Sequence, residues 1–176
     1  MDGEIGGLIV RSLRENDCDR LVDMDQRITG RGRKTWFEGK LQRALGDSDV
    51  RISLGAELDG RLVGALLGSV HYGEFGLPEP VAILDTILVD NRFSRKGIAS
   101  AMFRQLLRNA KALKVEFLRT ELGFEEQQLT HFLEKQGFKQ APRKVLELSL
   151  SAMSAVSEDE SEMQTDSRTP ESGSLS

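Results

Sequence analysis

The sequence predicts an α/β (α+β) fold, a mixed sheet covered by helices with the element order βααβββαβαβ. Three observations predict it. Asp59-Gly60 lies between two apolar-patterned runs and makes a two-residue hairpin turn, which joins antiparallel strands. Two strand-like runs, 81–89 and 115–120, bracket a long helical pattern, which is how a chain connects strands that run parallel. Within that pattern Ile98, Met102, Phe103, Leu106, Leu107, Ala110 and Leu113 fall at helical spacing and predict one buried stripe over 97–113.

The elements follow in order. The run 8–13 is short and apolar, as a strand requires, and Asn16 or Asp17 can cap a helix carrying Leu21, Val22 and Ile28. Trp36, Phe37, Leu41 and Leu45 share one face of a second helix ending near Gly46. Residues 50–58 alternate apolar and polar, and 61–72 is the return strand of the hairpin. The segment HYGEFGLPEP is rich in turn formers and reads as a loop before the strand 81–89. After the strand 115–120, a helix over 125–136 is closed by Gly137, and 145–150 is the last strand.

Composition bounds the function. At 176 residues and 19.6 kDa the chain fits one domain and a tail, since a domain averages roughly 150 residues. With 39% hydrophobic and 30% charged residues it can bury a core without metal or disulfide help. Its single cysteine, Cys18, excludes a disulfide-stapled scaffold. No run approaches the roughly 20 apolar residues that cross a bilayer, and the start MDGEIGGLIV lacks the positive charge of a secretion signal. A cytoplasmic location and no membrane partner are therefore expected. Residues 151–176 hold six acids and one base, have no aromatic residue, and read as an acidic, Ser-rich disordered tail, with the domain at 1–150. Without that tail the charge is close to neutral, which argues against a nucleic-acid partner.

The stretch ILVDNRFSRKGIASAMFRQLL carries the chemistry. A strand runs through a short basic turn, Ser94-Arg95-Lys96-Gly97-Ile98-Ala99, into the long helix. A helix start has unpaired amides and partial positive charge, so such a turn can hold a pyrophosphate, and Gly97 allows close approach to those amides. It is neither a GxGxxG fingerprint nor a P-loop. The plainer reading is a solvated basic connection.

The turn and the strand before it resemble the GNAT superfamily of acetyl-CoA-dependent N-acetyltransferases, whose central motif is an apolar strand followed by Arg or Gln-x-x-Gly-x-Gly or Ala and a helix. Gly97 and Ala99 match it, and FLEKQGF at 132–138 is similar to the family's C-terminal motif. The resemblance spans about 8–150 and implies a mostly antiparallel sheet with helices on both faces. It further implies that backbone groups of Ile87, Leu88 and Val89 pair with the pantetheine arm of acetyl-CoA. Amides of Ser94, Arg95, Lys96, Gly97, Ile98, Ala99 and Ser100 would hold the pyrophosphate, and strand N–H groups would stabilise the oxyanion. No metal is implied.

The sequence also departs from the family. Ser94 stands where Arg or Gln is usual, with Arg92 and Arg95 nearby to supply charge. Glu126 and Leu133 replace the Asn and the Tyr that protonates the leaving thiolate in many members. A thiol with a pKa near 8.5 leaves tolerably well without that acid.

The acceptor amine needs a proton acceptor, and Asp85, an acid inside an apolar strand on the face of Ile83 and Ile87, is the first candidate. Its plainer reading is a carboxylate satisfied by neighbouring hydroxyls or backbone. Acceptor contacts are expected from Arg27 and Arg31 in the basic segment RITGRGRKTW, with Arg33, Lys34 and Trp36 beside them, and from Tyr72, Glu74 and Glu79 before the central strand. A solvated basic loop with a core Trp is the alternative. His71 and Phe75 flank the same loop, and His131 belongs to the surface or to packing. The expected function is acetyl transfer from acetyl-CoA to a primary amine, on a small molecule or a protein, by direct attack in a ternary complex. A noncatalytic acyl-CoA sensor is the competing reading, and a homodimer is compatible with either.

Overall fold

Asp59 and Gly60 both take left-handed backbone angles, φ 50° and 74°, the geometry a two-residue hairpin demands. In this computed structural model, which describes residues 5–46, 52–73, 76 and 78–150, the turn joins Leu54–Leu58 (β2) to Arg61–His71 (β3). Leu8–Ser12 (β1) runs antiparallel to β2, and Val81–Val89 (β4) antiparallel to β3. Phe117–Arg119 (β5) lies parallel to β4, so the sheet order is β1-β2-β3-β4-β5 with one parallel join. The connection between β4 and β5 is a helix, Ile98–Ala112 (α3), while Cys18–Thr29 (α1) and Lys34–Gly46 (α2) precede the hairpin.

Helices cover both faces, as expected. Leu62, Ala65 and Leu67 of β3, with Leu88 of β4, pack against Leu21 and Met24 of α1 and Phe37 and Leu41 of α2. Gly64 faces the other way: a Cβ there would lie 3.0 Å from Ile98 Cγ2 and 3.1 Å from Met102 Cε, so α3 sits close upon β3. Ile98, Met102, Phe103, Leu106 and Ala110 form its buried stripe. Leu107, expected in that stripe, is 39% exposed, because it lies one residue beyond the buried row.

Two boundaries differ for local reasons. Asp17 precedes α1, but its carboxylate accepts from Arg11 and from the Arg14 N–H instead of capping α1. β5 starts at Phe117 because the Val115 N–H closes the end of α3 on Ala110 O at 2.9 Å.

The described residues form two compact units, one up to Glu125 and one from Glu126. The second holds Gln127–Lys135 (α4), ended by Gly137 at φ 98° with Phe138 N–H on Leu133 O at 3.1 Å, a left-handed helix stop. The expected last strand at 145–150 is corrected: these residues lie in no strand, and Val145, Leu146, Leu148 and Leu150 are 69–90% exposed. Alternating apolar residues become a strand only where a neighbouring ladder takes up their backbone groups, and among the described residues no strand pairing includes 145–150. The acidic segment 151–176 lies outside the described residues. Among them, no helix is long and apolar enough to cross a membrane.

Candidate active site

Strand alternation in β4 breaks at Asp85. Leu67 of β3 pairs with Thr86 and Gly68 with Leu84, which makes Asp85 the extra residue of a β-bulge. The close approach requires Gly68, where a Cβ would meet Ile83 O at 2.5 Å. Asp85 therefore does not follow the alternation expected of Ile83 and Ile87. Its side chain, 29% exposed, turns toward α2, where Oδ2 accepts from Lys40 Nζ at 2.5 Å and Oδ1 accepts from Thr86 Oγ1 at 2.8 Å. Beside the pair opens a cleft of about 280 Å³, lined by Lys40, Arg43, Leu67, Ser69, His71 and Asp85 among others.

Beyond the bulge, among the described residues, β4 is paired on one side only. The β4–β5 register ends at Ile83↔Arg119, whereas β3 follows β4 to Val89. The Asp90 N–H donates to Val63 O at 2.9 Å, and N–H groups alternate sides along a strand. It follows that Leu88 spends its backbone groups on β3, while Ile87 and Val89 present N–H and C=O to the open side. Of the three backbone contacts expected for pantetheine, two face the gap.

That open edge leads into the basic turn. Arg95 at φ 60° and Gly97 at φ 82° bend the chain into α3. The first intrahelical bond runs from Ala101 N–H to Gly97 O at 2.9 Å, and Gly97 brings no side chain to cap the start. The N–H groups of Ile98, Ala99 and Ser100 thus have no acceptor within the helix, and the helix dipole adds partial positive charge. Ser94 differs from expectation, since its N–H donates to Asn91 O at 3.3 Å. Arg95 and Lys96 are exposed at the turn, with Lys96 Nζ 5.2 Å above the Phe93 ring. The geometry fits a pyrophosphate attached to an extended arm: a strand edge with free backbone groups ending in a cradle of amides and two cations.

Arg92 is committed elsewhere. Asp90, 1% exposed, accepts from Arg92 Nε at 3.0 Å and Nη2 at 2.7 Å and from Arg20 Nη2 at 2.5 Å. Hydrogen bonds from Arg92, opposed by burial and aided by Arg20, hold the Asp90 carboxyl well below the usual carboxylate range. Arg27, expected at the acceptor, has its guanidinium 3.6 Å from this same carboxylate. Arg33 forks onto Asp25 at 2.8 and 3.0 Å and lies 4.6 Å over Trp36, and Lys34 reaches Asp19 at 3.5 Å. Only Arg31 of the expected basic set is exposed with no ion pair among the described residues. The segment's charge is largely spent within the fold.

The remaining candidates are scattered. Tyr72 is 66% exposed and, like the exposed Glu79, is absent from the cleft lining. Glu74 and Phe75 lie outside the described residues. His71 does line the cleft, with Nε2 2.8 Å from Ser69 Oγ. His131 is a surface residue 4.0 Å from Glu134. Among the described residues no group of three or more His, Cys, Asp or Glu is placed to hold a metal ion. Neither Lys40 nor Asp90 is among the site residues the sequence predicts. The i,i+7 spacing of Arg20 and Arg27, which puts both on one face of α1, was the available signal for Asp90.

The sequence model of the acetyltransferase (GNAT) family matches residues 18–138. This chain belongs to the GNAT acetyltransferase family. The GNAT match takes in the bulge, the open edge and the amide turn. Among solved structures, the aminoglycoside N-acetyltransferase AAC(6')-Iy in complex with CoA aligns at a TM-score of 0.68 and 15% identity, covering 81% of this chain and 95% of that one. A ribosomal-protein-alanine N-acetyltransferase from Brucella melitensis biovar Abortus 2308 aligns at 0.64 and 21% identity, covering 81% and 99%. Glucosamine-6-phosphate N-acetyltransferase from Arabidopsis thaliana aligns at 0.63 and 14%, covering 80% and 97%. At these identities the likeness is one of GNAT fold. No curated protein matches the sequence.

Proposed function

We propose that this GNAT domain is an N-acetyltransferase that moves the acetyl group of acetyl-CoA to a primary amine by direct attack in a ternary complex. One observation carries the reading: an open strand edge at Ile87 and Val89 leads directly into the unpaired amides of Ile98, Ala99 and Ser100. The edge binds an extended arm by strand addition, and the turn takes its pyrophosphate. Acetyl-CoA supplies a thioester whose thiol leaves readily. The Ile87 N–H, pointing into the gap, is a donor for the developing oxyanion. Asp85 accepts the proton of the attacking amine, a role supported by its hydrogen bond from the primary amine of Lys40. Each of the three structural neighbours is named for transfer to an amine, which supports amines as the acceptor class.

Thermal unfolding with and without acetyl-CoA tests the donor site. Donor at about 100 times its dissociation constant adds about 2.7 kcal/mol of stability, and an unmoved melting temperature removes the donor site. An amine panel followed by release of free CoA thiol tests the transfer. Asp85→Asn is expected to lower kcat about 10²- to 10⁴-fold while leaving the acetyl-CoA stabilisation in place.

A further inference from the structure

Lys40 is held as an acceptor amine would be held. It projects from α2 with Nζ 5.2 Å from the Trp36 ring centroid and 2.5 Å from Asp85 Oδ2. Its side chain is 22% exposed and lines the cleft beside the bulge. Lys34, six residues earlier on the same helix, pairs instead at 3.5 Å with an aspartate that is 89% exposed, far less enclosed than the Lys40 pair. A primary amine bonded to the carboxylate assigned to take its proton, at the start of the open edge, has what acetyl transfer requires of a nucleophile.

We infer that Lys40 is an internal acetyl acceptor and that the chain acetylates it at its own site. The inference rests on the acetyl-CoA reading above. One proton passes from the Lys40 ammonium to Asp85, and the neutral Nζ attacks the thioester carbonyl carbon. The C–N bond forms as the C–S bond breaks, CoA departs as its thiolate, and the second proton on nitrogen reaches that thiolate through water. The products are Nε-acetyl-Lys40 and free CoA thiol, with the proton on Asp85 returned to solvent. An acetylated lysine carries no charge, so the ion pair ends and Asp85 is released to serve an incoming amine. Self-acetylation is thus a single priming event that exposes the proton acceptor.

The test is a time course of acetyl incorporation at every lysine of the full chain with acetyl-CoA, read by peptide mass spectrometry, with desulfo-CoA as competitor. Lys40 is expected to be modified about 10²-fold or more ahead of the exposed Lys111, the minimum that a positioned proton acceptor contributes. Desulfo-CoA should suppress Lys40 and spare Lys111, and Asp85→Asn should bring Lys40 down to the surface rate. Lys40→Arg keeps a cation for Asp85 and should lose the modification while acetyl-CoA still raises the melting temperature. Modification of Lys40 at the Lys111 rate, in a protein that acetyl-CoA stabilises, overturns the inference and leaves the donor reading intact. Absence of that stabilisation overturns both.

Discussion

Three aspartates show how environment divides one residue type into different roles. Asp85 meets a single lysine at a half-open cleft, while Asp90 is enclosed by arginines and anchors the end of β4. Asp25 is fully buried and accepts from the Arg33 side chain and backbone, which outweigh burial and lower its pKa from 3.8 to about 2. A carboxyl depressed in the folded state adds stability that is complete above its unfolded pKa and is lost as pH falls through the folded value. The difference corresponds to about 2 kcal/mol, lost between about pH 4 and pH 2. Urea unfolding across that window should show this loss in the native chain, and Asp25→Asn should make it shallower, with the Asp90 contribution remaining. A native curve that is flat over the same window would exclude Asp25 as its source. The aspartates themselves were visible in the sequence, but their partners were not, since Lys40 stands 45 positions from Asp85 and Arg20 stands 70 from Asp90.

Elements defined by local rules were readable in advance. The hairpin follows from Asp59-Gly60, and β4 and the α3 stripe follow from continuous or helical apolar spacing. Features fixed between elements were not, and the bulge is the clearest case, because register is settled by how β3 and β4 meet. The run 145–150 has the right pattern but no ladder among the described residues, which no local rule reveals. Two glycines separate these kinds of information experimentally. Gly97 has open space around a Cβ, 4.0 Å from Ile5, but a positive φ, so Gly97→Ala should cost only about 1–2 kcal/mol and mainly weaken stabilisation by acetyl-CoA. Gly68→Ala drives a methyl into backbone at 2.5 Å and should cost about 1–3 kcal/mol or more in urea unfolding, whether or not ligand is present. Equal responses of the two variants to acetyl-CoA would contradict the division of labour between turn and bulge.

At the scale of the whole chain, the site is a consequence of connectivity. A helical crossover places β5 parallel to β4, and their three-pair register leaves the last part of β4 unmatched on one side. Backbone hydrogen exchange should therefore respond unevenly to acetyl-CoA. Protection is expected at Ile87 and Val89 and at Ile98, Ala99 and Ser100, with the β1–β2 ladder unchanged; uniform protection would mean that the ligand merely stabilises the fold. An unmatched strand edge has a further consequence, for it is also a template on which another chain's strand can dock. If acetyl-CoA binds as proposed, it occupies those groups, so light scattering from a concentrated solution of the protein is expected to fall when acetyl-CoA is added.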